Sequence, residues 1–211
     1  MKIGILGGTG RMGKGLARCY VQGGHEVILG SRNASRAEAE AKAIASEIQE
    51  ASISGGDLKT AAAESELVIL AVPFRDGASL VSSLSDELKG KIIIDITNPF
   101  GAVPVGQISG IEHNAQSMGE LARWVAAYKT TFWITLDQPQ NQNGVPRDVL
   151  VCADDNEAKR IVCELIESSG FRAVDCGGLE VARTLDPMVP LMLEIDRRVG
   201  GDCYSSWKFL D

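Results

Sequence analysis

Residues 2–13 of the chain are KIGILGGTGRMG, an apolar run followed by a glycine-rich turn. The run over 2–6 is typical of a buried strand, and the apolar residues of 14–21 recur at helical spacing. Between them, Gly8, Gly10 and Gly13 form a G-x-G-x-x-G pattern. A strand, this turn and a helix together indicate a dinucleotide-binding β-α-β unit rather than an ordinary glycine-rich turn.

The three glycines have different expected roles in such a unit. Gly8 is expected to form the tight turn, Gly10 to let the backbone approach a pyrophosphate, and Gly13 to let helix and strand pack closely. The helix N-terminus then presents free N–H groups and a positive dipole end to the phosphates.

The second predicted strand, 25–30, indicates which dinucleotide binds. In the usual NAD-binding unit an acidic residue at the end of this strand holds the ribose 2′-hydroxyl. Here the strand is followed by Ser31, Arg32 and Asn33, without a carboxylate. Ser31 and Arg32 offer a hydroxyl and a guanidinium to a 2′-phosphate, and Arg36 could close over the same group. The sequence therefore predicts NADP, the alternative being that these arginines are solvated surface residues.

The rest of the chain alternates strand and helix patterns. We predict an α/β fold: a Rossmann-type doubly wound, mainly parallel sheet with a small C-terminal α/β extension. Residues 1–136 are expected to form the NADP-binding domain and 137–211 the extension that packs on it, with the boundary at the polar loop 137–144. The further strands are predicted at 52–54, 67–72, 91–96, 129–134, 148–153 and 171–175.

Helix starts are predicted from capping patterns. Capping boxes at Ser35–Glu38 and Ser117–Glu120 are expected to open helices, the second of about ten residues. Asp57 is expected to cap a short helix, and Asp154 with Glu157 another. Other helices are predicted over 76–88 and, with breaks at two prolines, over 179–199, whereas 101–114 is expected to be a loop over the cleft.

Two strand ends supply further candidate cofactor contacts. Val72, Pro73 and Phe74 follow the continuous apolar run 67–72, although Phe74 fits a core position equally well. Asn98 follows the next strand and is expected to bond the carboxamide of the nicotinamide ring. Asp95 is either an acid–base group or a carboxylate that binds N–H groups of the following turn.

Composition excludes several classes of function. The formal charge of −7 argues against nucleic acid as a partner, and no apolar run is long enough to span a membrane. The first residues lead directly into a strand, which leaves no room for a signal peptide. Five scattered cysteines without C-x-x-C spacing indicate reduced thiols in a cytoplasmic protein. With two histidines, neither a metal site nor a catalytic thiol is expected.

The chain resembles the coenzyme F-420-dependent NADP oxidoreductases over nearly its whole length. The N-terminal motifs are the more specific: GGTGRMGKGLA at 7–17, GHEV at 24–27 and GSR at 30–32. The similar later motifs are VPF at 72–74, VCADD at 151–155 and KFL at 208–210. Related modules occur as cytosolic domains of membrane metalloreductases, which pass hydride to a flavin.

The resemblance implies specific contacts to the cofactor. It implies phosphate contacts from Thr9, Gly10, Arg11 and Met12, a 2′-phosphate site made by Ser31, Arg32 and Arg36, and contacts of Val72 and Pro73 with the adenosine or the linker. The sixth strand of the family often ends in a polar residue and a threonine beside the reactive ring. In this chain Ile134 replaces the polar residue and Thr135 keeps the threonine.

The leading prediction of function is hydride transfer between NADPH and a deazaflavin, coenzyme F-420, or a flavin. This chemistry needs no protein nucleophile, and we expect no catalytic residue. One alternative is an NADPH-dependent reductase of a small carbonyl or imine compound, with Lys129, Asp95 or Tyr128 as candidate proton donors. Another is a non-catalytic NADP-binding regulatory protein. A homodimer through the C-terminal helices is expected from the stripe Met188, Leu191, Met192 and Ile195, which fits a core or a dimer interface.

Overall fold

The computed structural model describes residues 1–210 and contains a six-stranded parallel sheet in the order β3-β2-β1-β4-β5-β6. The strands are β1 (Lys2–Leu6), β2 (Glu26–Ser31), β3 (Ile53–Asp57), β4 (Leu67–Leu70), β5 (Ile92–Asp95) and β6 (Arg123–Ala126). The helices that connect and flank them are α1 (Arg11–Gln22), α2 (Ala34–Glu47), α3 (Leu58–Glu64), α4 (Phe74–Ser83), α5 (Ser85–Leu88) and α6 (Gly110–Ala115). The predicted doubly wound α/β fold is confirmed.

The central strands are apolar because both faces of the sheet are covered. Ile5 of β1 lies opposite Leu29 of β2 on one side and Ile69 of β4 on the other. Two hydrophobic clusters, one on each face, bury these strands. The strand order reverses between β1 and β4, so a crevice opens at the carboxyl ends of these two strands, where such sheets bind ligands.

The C-terminal part continues this core. Strands β7 (Asp148–Val151) and β8 (Arg172–Asp175) form a parallel pair, with α7 (Asn156–Ser168) between them and α8 (Ala182–Arg198) after them. An antiparallel bridge between Ala126 and Cys152 joins this pair to β6. Both hydrophobic clusters contain residues from each side of the polar loop. The domain boundary at residue 137 stays a prediction.

The sixth strand does not lie where the sequence placed it. The β-prone stretch 129–134 forms turns and a 3-10 turn (Trp133–Thr135), while β6 lies earlier and pairs with β5. The capping box at 117–120 was also wrong, because a 3-10 turn (Gly119–Leu121) leads from there directly into β6. Burial of Trp124, Val125 and Ala126 between the layers outweighs the local helix signal.

Several helix ends differ from the predictions. Helix α2 is capped by Asn33 instead of Ser35, since the Asn33 side chain accepts the Arg36 N–H at 3.0 Å. Helix α7 is capped by Asp155 rather than by Asp154. The capping box that does form joins Ser109 to Glu112 and opens α6 inside the predicted loop.

Helix α8 is continuous, although the sequence predicted breaks at its two prolines. Pro187 and Pro190 both lie inside it. Leu185, Val189 and Met192 are buried along one side, and this packing outweighs the hydrogen bonds that the prolines remove. Among the described residues 1–210, no helix is both long and apolar enough to cross a bilayer.

Candidate functional site: a two-part cleft at the sheet edge

A cavity of about 620 Å³ lies at the carboxyl ends of β1, β2 and β4. It contains seven of the predicted cofactor contacts: Thr9, Gly10, Ser31, Arg32, Arg36, Val72 and Pro73. Residues far apart in the sequence meet here because parallel strands end at the same edge of the sheet. The remaining wall comes mainly from α4, through Asp76, Ser79, Leu80 and Ser83.

The glycine-rich turn forms the floor of this cavity, and its sharpest residue is Gly7. Gly7 has φ +89°, and a Cβ there would lie 2.4 Å from the carbonyl oxygen of Ala71. Gly8 is a central residue of the turn that the Gly10 N–H closes on the Gly7 carbonyl oxygen at 2.9 Å, as predicted. Gly8 also packs against Leu29, whose side chain would lie 2.8 Å from an added Cβ. A Cβ on Gly13 would lie 2.6 Å from the Gly7 carbonyl oxygen, so helix α1 does depend on a glycine for its close approach.

Gly10 leaves the N-terminus of α1 open. It is the N-cap residue of α1 and provides no side-chain hydrogen bond, and the first turn of the helix contains no acidic residue. Within 4 Å, a Cβ on Gly10 would meet only the Gly7 carbonyl oxygen, at 3.2 Å. The first N–H groups of the helix and its positive dipole end therefore face a space that can hold a phosphate.

The end of β2 supplies the positive charge of the cavity. Ser31 is buried and its hydroxyl oxygen accepts the N–H of Asn33 at 3.2 Å. Arg32 and Arg36 are exposed, and neither guanidinium forms an ion pair within residues 1–210. Two unpaired guanidiniums in a cavity without a carboxylate at the end of β2 fit a 2′-phosphate and would not repel it.

A second cavity of about 420 Å³ continues from the first. Both are bordered by Ala71, Val72 and Pro73, so the end of β4 forms the passage between them. Met12, Phe74 and Asn98 lie in the second cavity, and Gly8, Arg11 and Gly13 line neither. The other residues that line it are largely apolar or aromatic: Ile96, Thr97, Phe100, Tyr128, Lys129, Thr131, Phe132, Trp133, Val189 and Leu193.

Asn98 is held with one amide atom unused. Its Nδ2 donates to the carbonyl oxygen of Lys129 at 3.0 Å, whereas its Oδ1 is buried and has no hydrogen-bond partner among the described residues. Unpaired buried acceptors are uncommon in folded proteins. An acceptor on the wall of the second cavity suits the N–H₂ of a carboxamide.

Phe74 combines both roles that the sequence left open. Its ring packs on the ring of His113 with centroids 5.1 Å apart, and the residue also lines the second cavity. It is half-buried as the first residue of α4.

Lys129, one of the three candidate proton donors, lies inside the fold and does not project freely into the cleft. Its side chain is fully buried, 3.1 Å from the Asp186 carboxylate, and Nζ donates to the Thr97 carbonyl oxygen. The second oxygen of Asp186 accepts the Gly110 N–H at 2.7 Å. The ion pair thus ties the end of β6, α6 and α8 together at the back of the second cavity.

The other two candidate proton donors have structural roles. Asp95 is fully buried, and its two oxygens accept the Thr97 N–H at 2.7 Å and the Asn114 side-chain N–H at 2.8 Å. Tyr128 shares a 2.8 Å hydrogen bond with the Tyr20 hydroxyl, and burial raises the pKa of Tyr128 well above its ordinary value. Neither is arranged to give up a proton in the cleft.

Ile134, the substituted position of the family motif, does not line either cavity. Its neighbour Trp133 does, and the adjoining Thr135 is buried with its hydroxyl donating to the Phe132 carbonyl oxygen. No local pattern in the sequence singled out Trp133, because its exposure depends on the 3-10 turn that replaces the predicted strand.

Comparison with known proteins shows the family to which this chain belongs. The family model described as coenzyme F420-dependent NADP oxidoreductase matches residues 2–99. The F420-dependent NADP reductase of Methanocaldococcus jannaschii is 34% identical over 93% of this chain and 92% of its own length. The chain belongs to the F420-dependent NADP reductase family.

Other members and neighbours extend this family relationship. A solved structure titled as a putative F420-dependent NADP reductase from Arthrobacter superposes with a TM-score of 0.84 at 26% identity, covering both chains completely. The rat metalloreductase STEAP3 is 32% identical over 91% of this chain, which corresponds to 37% of its own length. The chain is thus similar both to reductases of its own length and to part of a longer metalloreductase.

Proposed function

We propose that this family member transfers hydride between NADPH and coenzyme F420. The observation that supports it best is the continuity of the two cavities at Val72 and Pro73. One cavity has the charge for the pyrophosphate and the 2′-phosphate of NADP, and the other has the largely apolar and aromatic lining that suits a planar ring. Bound there, the nicotinamide and deazaflavin rings supply the redox chemistry, and the protein supplies orientation and exclusion of water.

The dinucleotide site uses the residues predicted from the sequence. Arg32, Arg36 and the Ser31 hydroxyl hold the 2′-phosphate, and the open N-terminus of α1 holds the pyrophosphate together with Thr9 and Gly10. The part of the cofactor between the pyrophosphate and the nicotinamide then enters the second cavity, where it contacts Met12, Val72, Pro73 and Phe74. The unpaired Oδ1 of Asn98 then accepts a hydrogen bond from the nicotinamide carboxamide.

A direct assay tests this proposal. Purified protein is mixed with NADPH and, in separate reactions, coenzyme F420, FMN or FAD, and the loss of NADPH absorbance is followed. We expect oxidation with F420, and a much lower rate with NADH in place of NADPH. Absence of oxidation with all three acceptors would contradict hydride transfer to this class of ring.

One observation favours the alternative, a reductase of small carbonyl or imine compounds. Lys129 is one of the residues that line the second cavity, where a substrate of that kind needs a proton. Lys129 is, however, already bonded to Thr97 and Asp186. Turnover of cyclic imines with NADPH, lost in Lys129→Gln while NADPH binding remains, would favour this alternative.

We further propose a homodimer in the cytoplasm. Leu191 and Ile195 on α8 and Val199 at its C-terminal end are exposed apolar residues, and neighbouring exposed apolar residues commonly mark a protein interface. Substitution Ile195→Glu should convert a dimer into a monomer in sedimentation analysis. All five cysteines are free thiols, as suits a reducing compartment.

A further inference from the structure

Trp133 and Arg11 form a contact at the mouth of the second cavity. The guanidinium carbon of Arg11 lies 5.2 Å from the centroid of the Trp133 ring, within the range of a cation–π interaction. Arg11 is the first residue of α1, beside the expected position of the pyrophosphate. Trp133 is 44% exposed although it lines a cavity, so the guanidinium lies over an otherwise accessible indole ring.

The backbone that carries Trp133 is fixed to α1. Leu136, at the end of the same 3-10 turn, is fully buried and packs so closely on Gly15 that an added Cβ would lie 2.7 Å away. The Cys19 thiol donates to the Leu136 carbonyl oxygen at 2.7 Å. The backbone at Trp133 is therefore tied to α1, which places the indole beside the N-terminus of this helix.

Few aromatic side chains around this cavity offer a free face. Tyr128 and Phe132 are buried, and Phe74 packs on His113. Phe100, 64% exposed, belongs to the connection between β5 and α6 and has no such anchor on α1. Trp133 is thus the accessible aromatic residue of the cavity whose backbone is anchored on α1.

We propose that Trp133 is the ring on which the planar hydride partner stacks, and that Arg11 covers it until the pyrophosphate of the dinucleotide draws the guanidinium away. The planar nature of the partner rests on the proposed function above. A charge-assisted hydrogen bond to a phosphate is stronger than an exposed cation–π contact. The Arg11 guanidinium therefore leaves the Trp133 ring for the pyrophosphate when the dinucleotide binds. The dinucleotide consequently binds first and opens the site for the second ring.

The exchange at Arg11 is tested without any acceptor, through acrylamide quenching of tryptophan fluorescence. The ligand 2′-phospho-ADP-ribose contains the pyrophosphate and lacks nicotinamide, whereas adenosine 2′-monophosphate contains neither. We expect only the first to increase quenching in the parent protein. The increase should be absent in Trp133→Phe, and Arg11→Ala should show increased quenching before ligand is added. Equal quenching with and without 2′-phospho-ADP-ribose, or an increase that persists in Trp133→Phe, would overturn the exchange.

The stacking role is tested by the affinity for coenzyme F420. Trp133→Ala should raise the KM for F420 roughly five- to tenfold, while Trp133→Phe should stay within about twofold of the parent. The dissociation constant of NADPH should not rise in Trp133→Ala, because Arg11 then has no indole contact to give up. Phe209→Ala, which changes an exposed aromatic residue outside both cavities, is the matched control. An unchanged KM in Trp133→Ala, or an equal increase in Phe209→Ala, would contradict the proposal.

Equilibrium binding separates this inference from the proposed function. Titration of oxidised F420 into the protein saturated with NADP⁺ compares the same variants without turnover. Weaker binding to Trp133→Ala than to Trp133→Phe supports stacking even if no hydride is transferred. Equal binding to both variants overturns it even if the parent enzyme is active.

Discussion

Lys129 and Asp186 form a buried ion pair with 3.1 Å between the ammonium nitrogen and a carboxylate oxygen. The side chain of Lys129 is 0% exposed and that of Asp186 is 7% exposed. Removal of one partner should be costly because it leaves an uncompensated buried charge. We expect Lys129→Met to lower the free energy of unfolding by about 3–5 kcal/mol in urea denaturation.

The double variant Lys129→Met/Asp186→Asn should recover most of this loss, since Asn can still accept the Gly110 N–H. Lys59→Met is the control: its side chain is 74% exposed and paired with Glu87, so the expected change is below about 1 kcal/mol. If the double variant loses as much unfolding free energy as Lys129→Met, the unpaired charge of Asp186 is not the cause of the loss.

Arg32 should account for most of the preference for NADP. Its guanidinium has no carboxylate partner within the described chain, so its full donor set is available to a 2′-phosphate. We expect Arg32→Ala to weaken NADP binding by about 1.5–3 kcal/mol, roughly 10- to 100-fold, with little effect on NAD. Calorimetric titration of both dinucleotides measures this. Arg75→Ala, an exposed arginine outside both cavities, should leave both affinities unchanged.

Substitution of alanine for Gly7 should affect stability, whereas substitution of alanine for Gly10 should affect NADP binding. At Gly7 the positive φ and the 2.4 Å approach to Ala71 make any Cβ a source of strain, so Gly7→Ala should lower the melting temperature. At Gly10 the one close atom is the Gly7 carbonyl oxygen at 3.2 Å, a tight contact that a shift of a few tenths of an ångström relieves, but the methyl group intrudes where the pyrophosphate is expected. Gly10→Ala should therefore melt close to the parent and bind NADP more weakly. Thermal unfolding and NADP titration of both variants distinguish the two roles.

Arg183 should make stability depend on pH through Glu112. The Arg183 guanidinium, with help from Ser109, holds the pKa of Glu112 at about 2, below its ordinary value near 4.5. Because the pKa is lowered in the folded state, the stabilisation is present above about pH 4.5 and is lost as the pH falls towards 2.

Arg183→Gln should accordingly have a lower free energy of unfolding than the parent at neutral pH. This difference in unfolding free energy should shrink as the pH falls from about 4.5 towards 2. Urea unfolding of both proteins at several pH values measures the difference. Arg198→Gln, which removes an exposed partner of Glu194, is the control. If the difference in unfolding free energy between Arg183→Gln and the parent does not change with pH, Glu112 is not the source of the pH dependence.

The sequence predicted those parts of the site that are built locally. The strand, the glycine turn and helix α1 are consecutive, so spacing alone places Gly10 and Gly13. The end of β2 is equally local, and the absence of a carboxylate there is legible without any structure. Asp57 as a helix cap was confirmed for the same reason, since its side chain accepts the Thr60 N–H.

The parts that could not be predicted depend on distant contacts. Lys129 and Asp186 are separated by β7, α7 and β8, and only tertiary packing brings them together. The stretch 129–134 has the composition of a strand, yet the place beside β5 is taken by β6. Trp133 acquires its position from Leu136 and Gly15, a contact that no periodicity reveals.

Helix α8 has two working sides. Its inner side places Val189 and Leu193 on the wall of the second cavity and holds Lys129 through Asp186, while Leu191 and Ile195 face outward. In the homodimer proposed above, the helix that forms the subunit contact also forms the acceptor wall. Association of subunits is therefore expected to affect the width of the acceptor site.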